Sequence, residues 1–327
     1  MSSGRVLADA VLLNDWHAVA RAEDVSEGSI AKARLLGEDL VIWRNNGRIN
    51  VWQDLCIHRG SRLSLGWVEQ GNLVCAYHGW TYNADGECVR FPAHPDQKPP
   101  AKARVRVYAS SERYGLVWVC LGRPEREIPE FKEWNDASFR KVLCGPYVYR
   151  ASGTRAIENF LDVAHLPFLH SGYLGDRAHA EIGDYQVELT DTGVVARGVK
   201  IWQPDPDGTG VGKNVVYTYR VLRPLTIHIS KETDEGILSI FSTVCPVTEQ
   251  DSVAWLWLAM NYARDTPSEE LRAFQDRITG QDIPVVESQR PERLPLDLQA
   301  ELHLRSDRIA VAYRKWLRQM GMTFGTA

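Results

Sequence analysis

Between Leu35 and Leu121 the apolar residues come in short β-prone runs cut by turn residues: LVIW, then NNG, then INVWQDLC, and later LVCAYHGWTY, NADG and ECVRF. Runs of this length bounded by Asn, Asp and Gly predict a small antiparallel β domain built from hairpins. GLVWVCL at residues 115–121 is the last strong strand of the set, and GRPEREIPEF follows as a charged, Pro-containing connector. A domain boundary is expected near residue 130, giving domains 1–130 and 131–327.

The second part changes period. Residues 155–170 are helical in character, and 185–262 return to strands, most clearly in VVYTYRVL, TIHISKE and SVAWLWLAMN. In the last of these Ala254, Leu256, Leu258 and Met260 share one strand face while Val253, Trp255, Trp257 and Ala259 share the other. Both faces are apolar, which predicts a strand covered on both sides. Thr266, Pro267 and Glu269 read as an N-cap, a first-position proline and a capping-box partner, so a helix is expected to begin there. A second helix is expected across 297–320. The fold class is α+β: an N-terminal antiparallel β domain, then a catalytic domain with an antiparallel sheet flanked by helices.

Composition narrows the function classes. At 327 residues the chain exceeds the usual single-core limit of about 250 to 300, which supports two domains. With 44% hydrophobic and 24% charged residues and a formal net charge of −4, nothing points to nucleic acid or disorder. The stretch MSSGRVLADAVLLNDWHAVA lacks a basic start followed by a sustained apolar run, and no segment approaches the roughly 18 apolar residues of a membrane span. The six cysteines are too sparse for a disulfide scaffold in a chain of this length. A cytoplasmic protein whose key cysteines are ligands is therefore expected.

Residues 56–80 read CIHRGSRLSLGWVEQGNLVCAYHGW, in which the pattern C-x-H, sixteen residues, C-x-x-H gives each half one thiolate and one imidazole. In a Rieske [2Fe–2S] centre two cysteines bind one iron and two histidines the other, so two facing β loops must each supply one ligand to each metal. Cys56, His58, Cys75 and His78 meet that requirement. A structural zinc site also uses two Cys and two His, but it usually pairs like with like, whereas both halves here alternate. Trp80, just after the second loop, reads either as a shield for the cluster or as a plain core residue.

A cluster alone describes an electron carrier; residues after 130 offer somewhere for the electron to go. IENFLDVAHLPFLHSG contains Asp162, His165 and His170, and two histidines with one carboxylate are the donor set of non-haem Fe(II) oxygenases. Five residues on an ideal helix turn through about 140°, so the two imidazoles cannot converge from a regular helix. Pro167 between them is expected to distort or end it.

With both motifs in hand the chain resembles the Rieske non-haem iron oxygenases. CIHRG and CAYHGWTYNADG look like that family's two cluster loops, and Asn159, Asp162, His165 and His170 fit its N-x-x-D-x-x-H-x₄-H pattern. The resemblance implies several roles. Asp162 would be no iron ligand but a bridge between the iron-binding histidine and a cluster histidine of the neighbouring subunit, with Asn159 beside it. Asp282, in GQDIPVVESQRPERLP, resembles the position that supplies the third, carboxylate ligand; Asp276 and Glu287 are the nearby competitors. Electrons from NAD(P)H would reach the cluster through a separate reductase or a ferredoxin with its reductase, and pass on to a mononuclear Fe(II) that activates O₂. No G-x-G-x-x-G is present, in keeping with a separate reductase. The short length and Asp162 imply a head-to-tail homotrimer without a second subunit type.

WQDLCIHRG, FPAHPDQKPP, ERYGLVWVCLG and IPEFKEW look like the monooxygenase and demethylase branch that includes the vanillate, dicamba and caffeine demethylases and the saxitoxin-pathway hydroxylases. The expected reaction is C–H hydroxylation, or attack on an O- or N-methyl group ending in demethylation, of a small organic substrate. A cis-dihydroxylating ring dioxygenase, a Rieske electron-transfer protein and a zinc-stabilised binding protein are the rival readings. Trp202, Ile227 and Trp255 lie where a pocket would form but read more readily as core.

Overall fold

The computed structural model describes residues 9–327 and divides into two compact units, the first ending at Ile128 and the second spanning Pro129–Ala327. In the first unit a one-turn helix, α1 (Ala10–Leu13), precedes ten strands: β1 (His17–Arg21), β2 (Ile30–Leu35), β3 (Glu38–Asn45), β4 (Arg48–Gln53), β5 (Trp67–Glu69), β6 (Asn72–Val74), β7 (Thr81–Tyr82), β8 (Cys88–Arg90), β9 (Val107–Arg113) and β10 (Leu116–Cys120). A six-stranded sheet has the order β1-β10-β9-β4-β3-β2, and a four-stranded meander runs β5-β6-β7-β8. The turns fall at the Asn- and Gly-rich positions: NNG joins β3 to β4, with both Asn46 and Gly47 at positive φ, as a tight hairpin requires. Val41, Trp43, Trp52, Leu63, Leu73 and Tyr82 are buried together beneath the two loops that carry the Cys/His motif. Trp43 meets Trp52 edge to face at 4.9 Å, a geometry that adds to plain area burial.

The second unit is a seven-stranded antiparallel sheet of β11 (Arg140–Tyr149), β12 (Gln186–Thr190), β13 (Gly193–Gln203), β14 (Lys213–Arg223), β15 (Thr226–Thr233), β16 (Gly236–Pro246) and β17 (Ser252–Met260), in the order β11-β17-β16-β15-β14-β13-β12. Four helices flank it: α2 (Gly153–Leu161), α3 (Leu166–Leu169), α4 (Ser268–Ser288) and α5 (Arg308–Met320). α2 touches β16 and β17, α4 lies on β11, and α5 on β12 and β13. On β17 Ala254, Leu256, Leu258 and Met260 are all buried, and Trp255 and Ala259 on the opposite face are buried too, so the strand is covered on both sides.

Two local expectations are corrected, the cap of α4 and the start of the second helix. α4 starts at Ser268 with Pro267 as its cap residue and no side-chain capping bond; Glu269 and Glu270 instead place negative charge at the helix N-terminus. Gly280 and Pro284 do not interrupt α4, because Gln275, Ile278, Thr279, Asp282 and Val286 recur at helical spacing on its buried face, and packing outweighs intrinsic propensity. The second helix begins only at Arg308. Leu302 and Leu304, which a longer helix would turn towards a core, are 89% and 66% exposed, and the Asp307 carboxylate accepts a hydrogen bond from Leu304 N at 2.7 Å.

α2 is anchored by a buried charge network. Arg314 on α5, 2% exposed, donates to both oxygens of Glu158 at 2.5 and 2.7 Å and also to Glu301; Arg155 reaches Glu301 at 2.8 Å. Arg314→Met strips the shared cation from two partly buried carboxylates, and a loss of about 3–5 kcal/mol in unfolding free energy is expected in denaturant titration. A second pair holds the segment after the first unit against the sheet: Glu133 accepts from His228 Nε2 at 3.0 Å and Ser239 Oγ at 2.6 Å. Burial alone would raise the Glu133 carboxyl, but these donors hold it down at about 2. A depressed acid contributes stability above its ordinary value of 4.5 and loses it as pH falls towards 2, so Glu133→Gln should flatten the acid limb of stability in that window.

Candidate metal centres

The two Cys/His loops are local copies of one another. The first follows β4, and the second joins β6 to β7. In the first, Cys56 N donates to Ser61 O at 2.7 Å and Gly60 N to Cys56 O at 2.9 Å; in the second, Cys75 N donates to Trp80 O at 2.9 Å and Gly79 N to Cys75 O at 3.0 Å. Each closure places a glycine at positive φ, +70° at Gly60 and +69° at Gly79, where a side chain is strained. A Cβ at Gly79 would also stand 2.9 Å from Pro92 Cγ.

These closures bring the four side chains to one end of the unit. Cys56 and Cys75 are buried, unpaired thiols, and the His58 and His78 rings stand 4.6 Å apart. The donor set suits a metal cluster: His58 Nδ1 is buried with no hydrogen-bond partner, and burial pushes the Cys56 thiol up, against ionisation, in the absence of a cation. Trp80 stacks on His58 at 4.3 Å with planes 7° apart, so it acts on the site as well as on the core. Tyr82, which sequence reasoning did not single out, lies with its hydroxyl 3.1 Å from Cys56 Sγ. Its signal was the aromatic residue four positions after His78 in an HGWTY run.

In the second unit the helix breaks before the first histidine, not at the proline. α2 ends at Leu161 with Asp162 as its cap residue, and the chain turns; His165 then precedes α3 and His170 follows it, with Pro167 in the first turn where its missing N–H costs nothing. The turn aims both imidazoles at α4. His165 Nε2 and His170 Nε2 are 3.2 Å apart, and Asp282 Oδ1 is 3.0 Å from His170 Nε2 and 3.6 Å from His165 Nε2. Ligand atoms about 2.1 Å from one cation and at right angles to each other stand about 3.0 Å apart, so these separations fit a shared metal ion. Among the described residues this is the group whose ligand atoms all lie within 4.8 Å of one another. His170 Nδ1 donates to Gln281 Oε1 at 2.8 Å, leaving the Nε2 lone pair facing Asp282. Burial lowers His165 and favours its neutral, ligating form; for His170 burial works the same way, but Asp282 outweighs it and raises the group. A divalent cation would replace the proton that Asp282 attracts there.

Asp162 does not join this group: its Oδ2 is 3.9 Å from His165 Nδ1, and its side chain is 44% exposed. His165 Nδ1 is buried and without a hydrogen-bond partner. The competitors for the carboxylate role are engaged elsewhere, Asp276 by Tyr147 Oη at 2.7 Å and Glu287 by Arg150 N at 2.9 Å. Gln281 was not anticipated; its only sequence signal was adjacency to Asp282.

A small cavity of about 80 Å³ opens beside the histidines and includes Asn159 and Asp162 in its wall; a second of about 360 Å³ shares Leu174, Tyr217, Ile240 and Gln275 with it. Trp202, Ile227 and Trp255 line neither. Trp202 stacks on His179 at 4.1 Å, and the other two are buried, as core residues are.

Two family domains and several known proteins resemble this chain. Residues 15–109 match the Rieske [2Fe–2S] domain, and residues 149–322 match the vanillate O-demethylase oxygenase C-terminal domain. Methylxanthine N1-demethylase NdmA of Pseudomonas putida is 33% identical over 316 residues, covering 93% of this chain and 88% of that protein. The solved structure of NdmA with caffeine superposes with a TM-score of 0.82 at 30% identity, covering 94% and 91% of the two chains. Oxidoreductase NdmD, also from Pseudomonas putida, is 42% identical over 117 residues, which is 35% of this chain and 20% of that one. Two domain matches in series, together spanning most of the chain, place it among the Rieske non-haem iron oxygenases with a vanillate O-demethylase type of catalytic domain.

Proposed function

We propose that the chain is the terminal oxygenase of a demethylase, removing an N- or O-methyl group from a small organic substrate. The observation that carries this reading is the convergence of His165, His170 and Asp282 beside a cavity, in a chain that also carries the paired Cys/His loops. Cys56 and Cys75 would hold one iron of the [2Fe–2S] cluster and His58 and His78 the other. Each loop supplies one thiolate and one imidazole, the alternation that a two-iron cluster needs and that favours it over a single structural zinc. His165, His170 and Asp282 would hold Fe(II). When bound, the iron supplies reductive activation of O₂ with electrons delivered from NAD(P)H by a separate reductase.

The chain's own residues do the rest. Gln281 holds the proton on His170 Nδ1 and so keeps Nε2 free to ligate. Asp162 sits beside His165 Nδ1 and is half open to solvent, as a carboxylate must be if it also reaches a cluster histidine of another subunit. A closed head-to-tail ring satisfies such a contact, and we read the assembly as a homotrimer; a monomer with full turnover would overturn that. None of the six cysteines is in a disulfide, which suits a reducing compartment, and we place the protein in the cytoplasm.

The test is turnover of the purified protein with NADH and an oxidoreductase of the NdmD type, on a panel of methylxanthines and methoxyarenes. Formaldehyde formed in step with O₂ consumption supports demethylation, and a cis-diol product contradicts it. Two variants probe the shells around the metals. Gln281→Leu should weaken iron retention about 10- to 100-fold in chelator competition, with the cluster intact. Tyr82→Phe removes a hydrogen bond to a cluster sulfur and should lower the cluster's potential by tens of millivolts, on the order expected for one such bond, read by spectroelectrochemistry.

A further inference from the structure

Two of the three side chains gathered at the second metal position have a partner behind them. Gln281 backs His170 through Nδ1, and Asp162 stands beside His165 Nδ1. Asp282 has no such partner among the described residues: its Oδ1 is buried, faces the two imidazoles and accepts no hydrogen bond. A ligating carboxylate is ordinarily hydrogen-bonded in its turn, because a donor on the oxygen that does not ligate fixes its orientation.

A donor suited to that task lies on β11, the edge strand that α4 covers. Strand and helix run in the same direction, and three contacts fix their register. Arg272 Nε donates to Leu143 O at 2.9 Å, Tyr147 Oη to Asp276 Oδ1 at 2.7 Å, and Arg150 N to Glu287 Oε1 at 2.9 Å. Tyr149 on the strand and Asp282 on the helix fall between the last two. Successive strand residues point to opposite faces, so Tyr149 shares with Tyr147 the face that meets α4, while Val148 between them is left in solvent. On α4, Asp282 belongs to the buried stripe with Thr279 and Val286. Tyr149 is completely buried, and its hydroxyl has no hydrogen-bond partner. An unpaired buried hydroxyl costs free energy, and native interiors seldom keep one without a use. Burial, and after it the Asp282 charge, raises Tyr149 above its ordinary value of 10, so the group keeps its proton and is available as a donor.

We propose that Tyr149 is the positioning residue for the carboxylate ligand: its hydroxyl donates to the Asp282 oxygen that a bound cation leaves free, and so holds the other oxygen towards the metal. The inference rests on the reading of His165, His170 and Asp282 as a metal site. Tyr149 lines neither cavity and acts through Asp282 alone.

Tyr149→Phe and Tyr147→Phe separate this role from plain packing, since each removes one hydroxyl from the same strand face and keeps the ring. Two quantities are read on the cluster-loaded protein: Fe(II) retention in anaerobic chelator competition, and the melting midpoint after the mononuclear site has been emptied. Tyr149→Phe should weaken Fe(II) retention about 10- to 100-fold, the range for losing a partner behind a metal ligand. Its midpoint without the mononuclear iron should equal the wild-type value or rise, because the hydroxyl removed had no partner to lose. Tyr147→Phe should do the reverse, lowering the midpoint through loss of the Asp276 bond with Fe(II) retention unchanged. Fe(II) held equally well by Tyr149→Phe and the wild type would overturn the proposal. So would a lower midpoint for Tyr149→Phe in the protein without mononuclear iron, which would give the hydroxyl a structural partner instead. Wild-type protein that holds no Fe(II) beyond its cluster would overturn the metal-site reading, and this proposal with it.

Discussion

His165→Ala or Asp282→Ala will leave a brown protein that makes no product. Both residues sit in the second unit, whereas Cys56, His58, Cys75 and His78 sit in the first, each unit with its own core, so loss of the mononuclear iron need not disturb the cluster. Asp282 is 4% exposed and His170 1%. Removing one member leaves the others as buried polar groups around a site with too few ligands to retain Fe(II). Iron analysis should show the loss of one iron per chain with sulfide unchanged, and formaldehyde release should fall to background. A variant that keeps turnover would remove that residue from the ligand set.

Asp162→Asn is expected to have the second largest effect, and to leave both metal centres filled. The side chain is half exposed, and its Oδ1 accepts only a local bond from Ala164 N at 2.8 Å, which Asn can replace, so folding should be unaffected. What Asn cannot supply is the second carboxylate oxygen, Oδ2, which stands 3.9 Å from His165 Nδ1 and which in the proposed bridge would accept from an imidazole of another subunit. Reduction of the cluster by the reductase should proceed at its normal rate, while its reoxidation with substrate and O₂ slows by about 100-fold or more. Equal reoxidation rates in stopped flow would make Asp162 a surface residue with no part in electron transfer.

Ligands were more legible in the sequence than the elements that carry them. The alternating Cys/His halves need little context because the loops close on themselves, each with its own glycine. His165 and His170 were visible as a pair, but the reason they converge was not: the chain turns between Asp162 and His165, and Pro167 opens the next helix instead of kinking one. Asp282 is more than a hundred positions away, on a helix whose Gly280 and Pro284 argue locally against its existence. Only the buried face of α4, set by packing on the sheet, makes that segment helical. Gln281 was invisible for a related reason: it acquires its role from a partner in another element, His170. The start of α5 was misplaced because Glu301 is drawn into the Arg155–Arg314 network, and Leu302 and Leu304 are left in solvent.

One chain is expected to hold both an electron-storing cluster and a separate oxygen-activating iron. Metal and acid-labile sulfide analysis of the anaerobically purified protein, with low-temperature EPR after dithionite reduction, tests it most directly. About three irons and two sulfides per chain are expected, with the rhombic signal of a reduced cluster with mixed Cys/His ligation. A colourless protein with one zinc per chain and no sulfide would contradict it.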